Sequence, residues 1–179
     1  MSRRGDFRQA GLGAILVALA AACGAGPEMP AQTVTGAPSP GASVTPQAKL
    51  PAARLQILRN GERVALFSVE MARTPEQQAA GLMGRTNLKP DAGMAFINDT
   101  PSTTPFYMQN TLIALDLAFW GEDRKIFQIV QMEPCRKTPC PLYPPDRPYL
   151  GALELNRGTL EKEGVRIGDE VVLTVTVAR

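Results

Sequence analysis

An aspartate and a glutamate each interrupt an apolar run: Asp116 lies inside Leu115-Asp116-Leu117-Ala118-Phe119-Trp120, and Glu154 lies between Leu153 and Leu155. A carboxylate taken out of water needs a cation or hydrogen-bond donors; without them its pKa shifts, and such groups concentrate at binding and catalytic sites. With apolar neighbours on both sides, Asp116 is expected to be at least half buried. Its candidate partners are Asn110 and Thr111 through a local turn, and Arg85 as a distant cation. Pinning a loop is the plainer role for such an aspartate, and serving a pocket is the other. For Glu154, strand alternation points the side chain to solvent while Leu153 and Leu155 turn inward. If the two carboxyls instead faced one cleft, they would supply the acid and base of a glycoside-type hydrolase.

Other chemistry is narrowed by what the chain lacks. It contains no His, which removes Ser-His-Asp and Cys-His catalysis and, with so few Cys, makes a zinc site unexpected. Met71, Met83, Met94, Met108 and Met132 could in principle hold Cu(I), but without Met-x-x-Met clustering they read as core fillers packed on rings such as Phe96, Phe106 and Trp120. Gly81-Leu82-Met83-Gly84-Arg85 has the wrong glycine spacing for a phosphate loop and reads as a helix end. No metal or cofactor is expected.

The elements that must position these residues begin after a long leader. Arg3, Arg4 and Arg8 precede an uncharged apolar run that ends at Ala20-Ala21-Ala22-Cys23, the layout of a secretory signal followed by a lipidation cysteine. Residues 1–22 are therefore expected to be a signal peptide and Cys23 a lipid anchor. Residues 23–53, nearly all small residues, Pro and Thr, would form a tether too poor in apolar groups to fold. Such a tether reaches about 30 Å as a coil. The net charge of +2 resides in the leader, so no nucleic-acid-binding face is implied. With Cys23 assigned to lipid, Cys135 and Cys140 remain as an even pair that can oxidise outside the cytoplasm and staple a Pro-rich loop.

Residues 54–179 are of ordinary length for one domain. Short apolar runs at 54–58, 64–71, 94–98, 106–108, 112–120, 125–132, 149–155 and 170–177 predict a mostly β domain, sandwich, jelly-roll or barrel-like. Asn60-Gly61 predicts a tight hairpin between the first two strands. Thr74-Pro75-Glu76-Gln77 predicts a capped helix running to about Gly81 or Leu82, and a second short helix is expected over 159–163.

Read in order, Ala72-Arg73-Thr74-Pro75-Glu76, Gly81-Leu82-Met83-x-Arg85, Gly93-Met94-x-Phe96, Phe106-x-Met108-x-Asn110-Thr111, Leu115-Asp116-x-x-Phe119, Leu153-Glu154 and Gly168-Asp169 resemble the domain of unknown function 192 family. The loop from Glu133-Pro134-Cys135 to Cys140-Pro141-Leu142-Tyr143 resembles one found in many of its bacterial members. The resemblance implies a compact, mostly β domain, often exported or membrane-attached, with no established activity. The chain departs from the family pattern at Tyr107, where Trp is common, and at Gln109, where Lys is common.

The expectation from the sequence is an exported, lipid-anchored binding or accessory domain, monomeric and facing the periplasm or cell exterior. Arg85, Asn110 and Asp116 would orient a small polar ligand, with Met83, Phe106 and Met108 giving apolar contact. The rivals are the carboxylate hydrolase built on Asp116 and Glu154 and an envelope scaffold that docks a protein.

Overall fold

In the computed structural model, the described residues are 50–175, so the expected signal peptide, Cys23 and most of the expected tether lie outside them. The order is β1 (Ala52–Arg59), β2 (Glu62–Ala72), α1 (Pro75–Ala80), β3 (Ala92–Ser102), β4 (Phe106–Tyr107), β5 (Leu115–Trp120), β6 (Ile126–Met132), β7 (Leu142–Tyr143), β8 (Tyr149–Asn156), α2 (Thr159–Lys162) and β9 (Glu170–Val175). The domain is mostly β with two short helices, as expected. Seven strands form one mixed sheet in the order β6-β5-β8-β3-β2-β1-β9, while β4 and β7 make a separate two-stranded ribbon. The sheet does not close into a barrel. Its outer strands meet at one end, through a bridge between Lys125 and Glu170 and backbone hydrogen bonds from Ile126 N to Asp169 O at 2.9 Å and from Val171 N to Arg124 O at 2.8 Å.

Local chemistry accounts for the turns. Asn60 and Gly61 both adopt positive φ, 53° and 82°, so the backbone twist of the β1–β2 hairpin matches its strands. Thr74 caps α1 by accepting the Gln77 N–H, and the Gln77 side chain accepts the Thr74 N–H at 3.1 Å, a complete capping box. This helix sits in the crossover between β2 and β3, whose pairing is parallel. A parallel pair cannot be joined by a tight turn, which explains the long 73–91 connection.

Strand alternation sorts the core into two layers, one on each face. Leu55, Ile57, Phe67, Val69, Trp120 and Leu155 pack on the first face with Leu160 and Val165. Met94, Phe96, Met108, Leu117, Phe119 and Tyr149 pack on the second. Both faces of β5 and most of β8 are buried. Two close approaches fix the centre of the sheet. A Cβ on Gly151 would enter the Trp120 ring, and one on Gly93 would collide with the Glu154 carbonyl oxygen and the Leu155 side chain.

The far edge is held by a charged clamp. Arg59 donates from Nε to Asp169 Oδ1 and from Nη2 to Oδ2, both at 2.8 Å, and the Arg166 backbone N–H donates to the same Oδ2 at 2.8 Å. Burial works against the Asp169 charge, but these hydrogen bonds outweigh it and hold the carboxyl below its usual pKa. Cys135 and Cys140 form a disulfide, in the loop that connects β6 to the ribbon strand β7.

Candidate functional site

The sheet register decides what the two carboxyls can do. Asp116 pairs with Leu155, whereas Leu117 pairs with Glu154. Residues paired across strands share a face and sequential residues alternate, so Asp116 and Glu154 point to opposite sides of the sheet. The register therefore gives them no common cleft, and the acid and base pair of the hydrolase expectation is not assembled.

Asp116 is 1% exposed on the first face. Its partner is neither Asn110 nor Arg85: Oδ2 accepts the backbone N–H of Leu160 at 2.9 Å, in the first turn of α2. The residue before that helix, Gly158, has no side chain with which to cap it. Asp116 thus supplies from β5 the acceptor that a Ser or Asp at the N-cap would supply locally. Its other oxygen, Oδ1, has no hydrogen-bond partner.

Arg85 and Asn110 also have structural partners. Arg85 Nη2 lies 2.7 Å from Glu70 Oε2, a half-exposed pair. Asn110 has φ 59°, and its carbonyl accepts the Gly84 N–H at 2.9 Å, so it turns the chain beside the end of the α1 loop. Met108 is fully buried in the second core layer.

Met83 and Phe106, by contrast, line a cavity of about 470 Å³ on the second face. One wall is α1 with Gly81, the opposite wall is the 104–107 segment, and Phe96, Tyr149 and Glu154 complete the lining. The α1 wall is tied to β3 by Gln78, whose Nε2 donates to Ile97 O at 3.2 Å and to Asn98 Oδ1 at 3.1 Å. The opposite wall is anchored where the Tyr149 hydroxyl donates to Thr104 O at 3.2 Å, and Phe106 packs edge-on against Phe96 with centroids 4.9 Å apart. Behind Phe106 the ribbon pairs Phe106 with Tyr143 and Tyr107 with Leu142. The disulfide loop leads directly into that ribbon.

Glu154 is the unusual member of the lining. Solvent exposure was expected for it, yet it is 5% exposed, because both faces of β8 are covered and alternation turns it into the cavity and not onto the outer surface. Its cross-strand neighbours are Met94 on β3 and Leu117 on β5, both apolar. No hydrogen bond or ion pair among the described residues reaches its carboxyl. Burial alone pushes its pKa up to about 8, so the group holds a proton at neutral pH. The Leu153-Glu154-Leu155 pattern signalled a strand; the covering segment on the second face, which carries no such signal, is what turns this residue into a cavity group.

The described residues contain no cluster of three or more Cys, Asp or Glu placed to hold a metal ion. No described helix is long and apolar enough to cross a membrane.

Comparison with known proteins assigns the fold. The sequence profile of domain of unknown function 192, described as "Uncharacterized ACR, COG1430", matches residues 56–173. The chain belongs to the domain of unknown function 192 family. A crystal structure of a protein of unknown function from Novosphingobium aromaticivorans DSM 12444 is similar at 34% identity and TM-score 0.62, over 73% of this chain and 91% of that one. A protein from Sinorhizobium meliloti 1021, described as a proposed transcription regulator, is similar at 29% identity and TM-score 0.65, over 71% of this chain and 97% of that one. No curated protein matches the chain. Within this family fold, the cavity walls α1 and 104–107 coincide with two of the motif stretches, Thr74-Pro75-Glu76 and Phe106-x-Met108.

Proposed function

We propose that the protein is an exported, lipid-anchored binding domain, whose cavity between α1 and the 104–107 segment takes a small, largely apolar ligand with one polar group directed at Glu154. The observation that carries this reading is the unpartnered, buried Glu154 carboxyl facing a cavity whose volume falls in the range typical of ligand sites. Native structures satisfy nearly all buried polar groups, and an exception that opens on a cavity is best completed by a ligand. The basic-then-apolar leader, Cys23 at its end and the Cys135–Cys140 disulfide support export and anchoring.

The regulator description of the Sinorhizobium protein finds no support in this chain. The described helices span six and four residues, too short for a recognition helix, and acidic and basic residues are interspersed over the surface.

The test is thermal melting of the full-length protein against a panel of small envelope-space compounds, alongside Ala80→Trp. Ala80 lies on α1, which buries none of its residues in the core, so the indole fills the cavity without displacing core side chains. A compound that raises the melting temperature of the wild type and not of Ala80→Trp supports the reading; no shift across a broad panel counts against it. Anchoring is checked separately, by incorporation of labelled palmitate that Cys23→Ala abolishes.

A further inference from the structure

We infer that the cavity selects an organic cation, specifically a primary ammonium group carried on an apolar body. This rests on the cavity being the binding site, and it specifies what that site recognises.

The charge pattern of the lining argues first. Its residues include no Lys or Arg, and Glu154 is the sole acidic group among them; Tyr107 and Tyr149 are the other titratable ones. Glu154 is flanked by Met94 from β3, Leu117 from β5, and Ala152 and Asn156 on its own strand, and the polar side chain that α1 brings to the same cavity is Gln78; none of them is charged. Glu70 stands two strands away across the sheet, beyond Met94, and is already paired with Arg85. An anionic ligand would meet a carboxyl with no compensating cation. A cationic one would meet the complementary charge at a carboxyl that is itself 5% exposed.

The rings argue next. Phe96, Phe106, Tyr107 and Tyr149 all contribute to the lining. Aromatic faces attract cations, and a carboxyl combined with several rings is a pattern suited to an amine. A neutral carbonyl ligand would need only one hydrogen-bond donor and would gain nothing from this lining beyond apolar contact. The hydrogen-bond inventory then separates primary from quaternary ammonium. Both Glu154 oxygens require donors once ionised; a primary ammonium carries three N–H groups and a quaternary one carries none.

Proton balance follows. The free site holds a carboxylic acid at neutral pH, with a pKa near 8. When the ammonium enters, Glu154 releases its proton to solvent, and a carboxylate–ammonium pair replaces the acid. Affinity must then rise with pH until the free carboxyl is ionised, and level off above it.

The experiment measures binding of n-hexylammonium and its neutral analogue n-hexanol to the full-length protein at pH 6, 7, 8 and 9, with Glu154→Gln and Ala80→Trp in parallel. The ammonium should gain on the order of tenfold affinity per pH unit below 8 and then plateau, while n-hexanol binds more weakly without pH dependence. In Glu154→Gln the slope should vanish and the preference for the ammonium should disappear. If n-hexanol binds as tightly as the ammonium at pH 8, or if n-hexylammonium shows no binding or a falling affinity with pH, the cation inference is overturned and the cavity reading survives wherever Ala80→Trp blocks n-hexanol. Binding of both probes unchanged by Ala80→Trp would overturn the cavity reading itself. If Glu154→Gln fails to fold, the pH slope of the wild-type chain decides.

Discussion

Asp116 and Glu154 occupy adjacent antiparallel strands one register step apart, so one carboxyl braces a helix on the first face of the sheet while the other opens on a cavity on the second. The two carboxyls have opposite requirements. Asp116 has a backbone donor and works as the acceptor that caps α2. Glu154 has no partner, and burial drives it toward the neutral form. Substitutions should separate the two roles cleanly.

Asp116→Asn keeps an oxygen able to accept the Leu160 N–H, whereas Asp116→Ala leaves that N–H unsatisfied at a helix start with no other side-chain cap. Asp116→Ala is expected to lose roughly 1–2 kcal/mol in urea unfolding, the usual range for a lost N-cap, and Asp116→Asn less. Ligand-induced melting shifts should be preserved in both. Loss of binding in a well-folded Asp116→Asn would contradict the assignment of this residue to α2.

Glu154 makes the fold sensitive to alkali in a defined window. Its folded pKa, about 8, lies above its unfolded value of 4.5, so the folded state keeps a proton that the unfolded chain gives up between those limits. Its contribution is fully present below pH 4.5 and is lost as pH rises toward 8. The slope should be roughly 1 kcal/mol per pH unit. Urea midpoints of the wild type should therefore fall from pH 5 to pH 8, and those of Glu154→Gln should stay nearly flat across the same interval.

Asp169 acts in the other direction. Its pKa is held below 3.8, because the Arg59 fork and the Arg166 N–H outweigh its burial, so its contribution is present above that value and fades as the solution is acidified through the lowered pKa. Asp169→Asn should lose about 1–3 kcal/mol at neutral pH through imperfectly satisfied buried groups. The gap between wild type and variant should shrink as the pH is lowered below 3.8, which acid unfolding curves of the two proteins would show.

The packing of Trp120 over Gly151 predicts coupling between the two positions. Gly151→Ala places a methyl group inside the indole ring, so the strands must separate, at a cost of about 3 kcal/mol or more. Combining it with Trp120→Leu should cost less than the sum of the single changes, and a double-mutant cycle in urea measures the difference. Strict additivity would show that the two residues do not compete for the same space.

Local signals in the sequence translated directly into structure. Thr74 through Gln77 form the expected capping box, Asn60-Gly61 turns the expected hairpin, and Asp116 is buried as its apolar neighbours implied. What the sequence did not disclose is non-local. The partner of Asp116 is a backbone N–H from a position 44 residues away, which leaves no side-chain signature. Glu154 alternates with leucines as an exposed residue would, and only the packing of the 104–107 segment and α1 on the same face distinguishes a cavity group from a solvated one. Arg85, Asn110 and Met108 lie close in sequence to the cavity segments but are taken up by an ion pair, a turn and the core. Proximity along the chain grouped them with Met83 and Phe106, and side-chain direction separated them.

The pairing of β1 with β9, in which Ala53 stands opposite Val175, has a consequence for biosynthesis. Of the described strands, the first to be synthesised is completed by the last, so β1 keeps one edge unpaired until β9 has been made. Closing contacts between such distant segments also slows folding relative to a fold built from sequential hairpins. A domain whose first described strand waits for its last stays longer with that strand edge open to pairing with other chains.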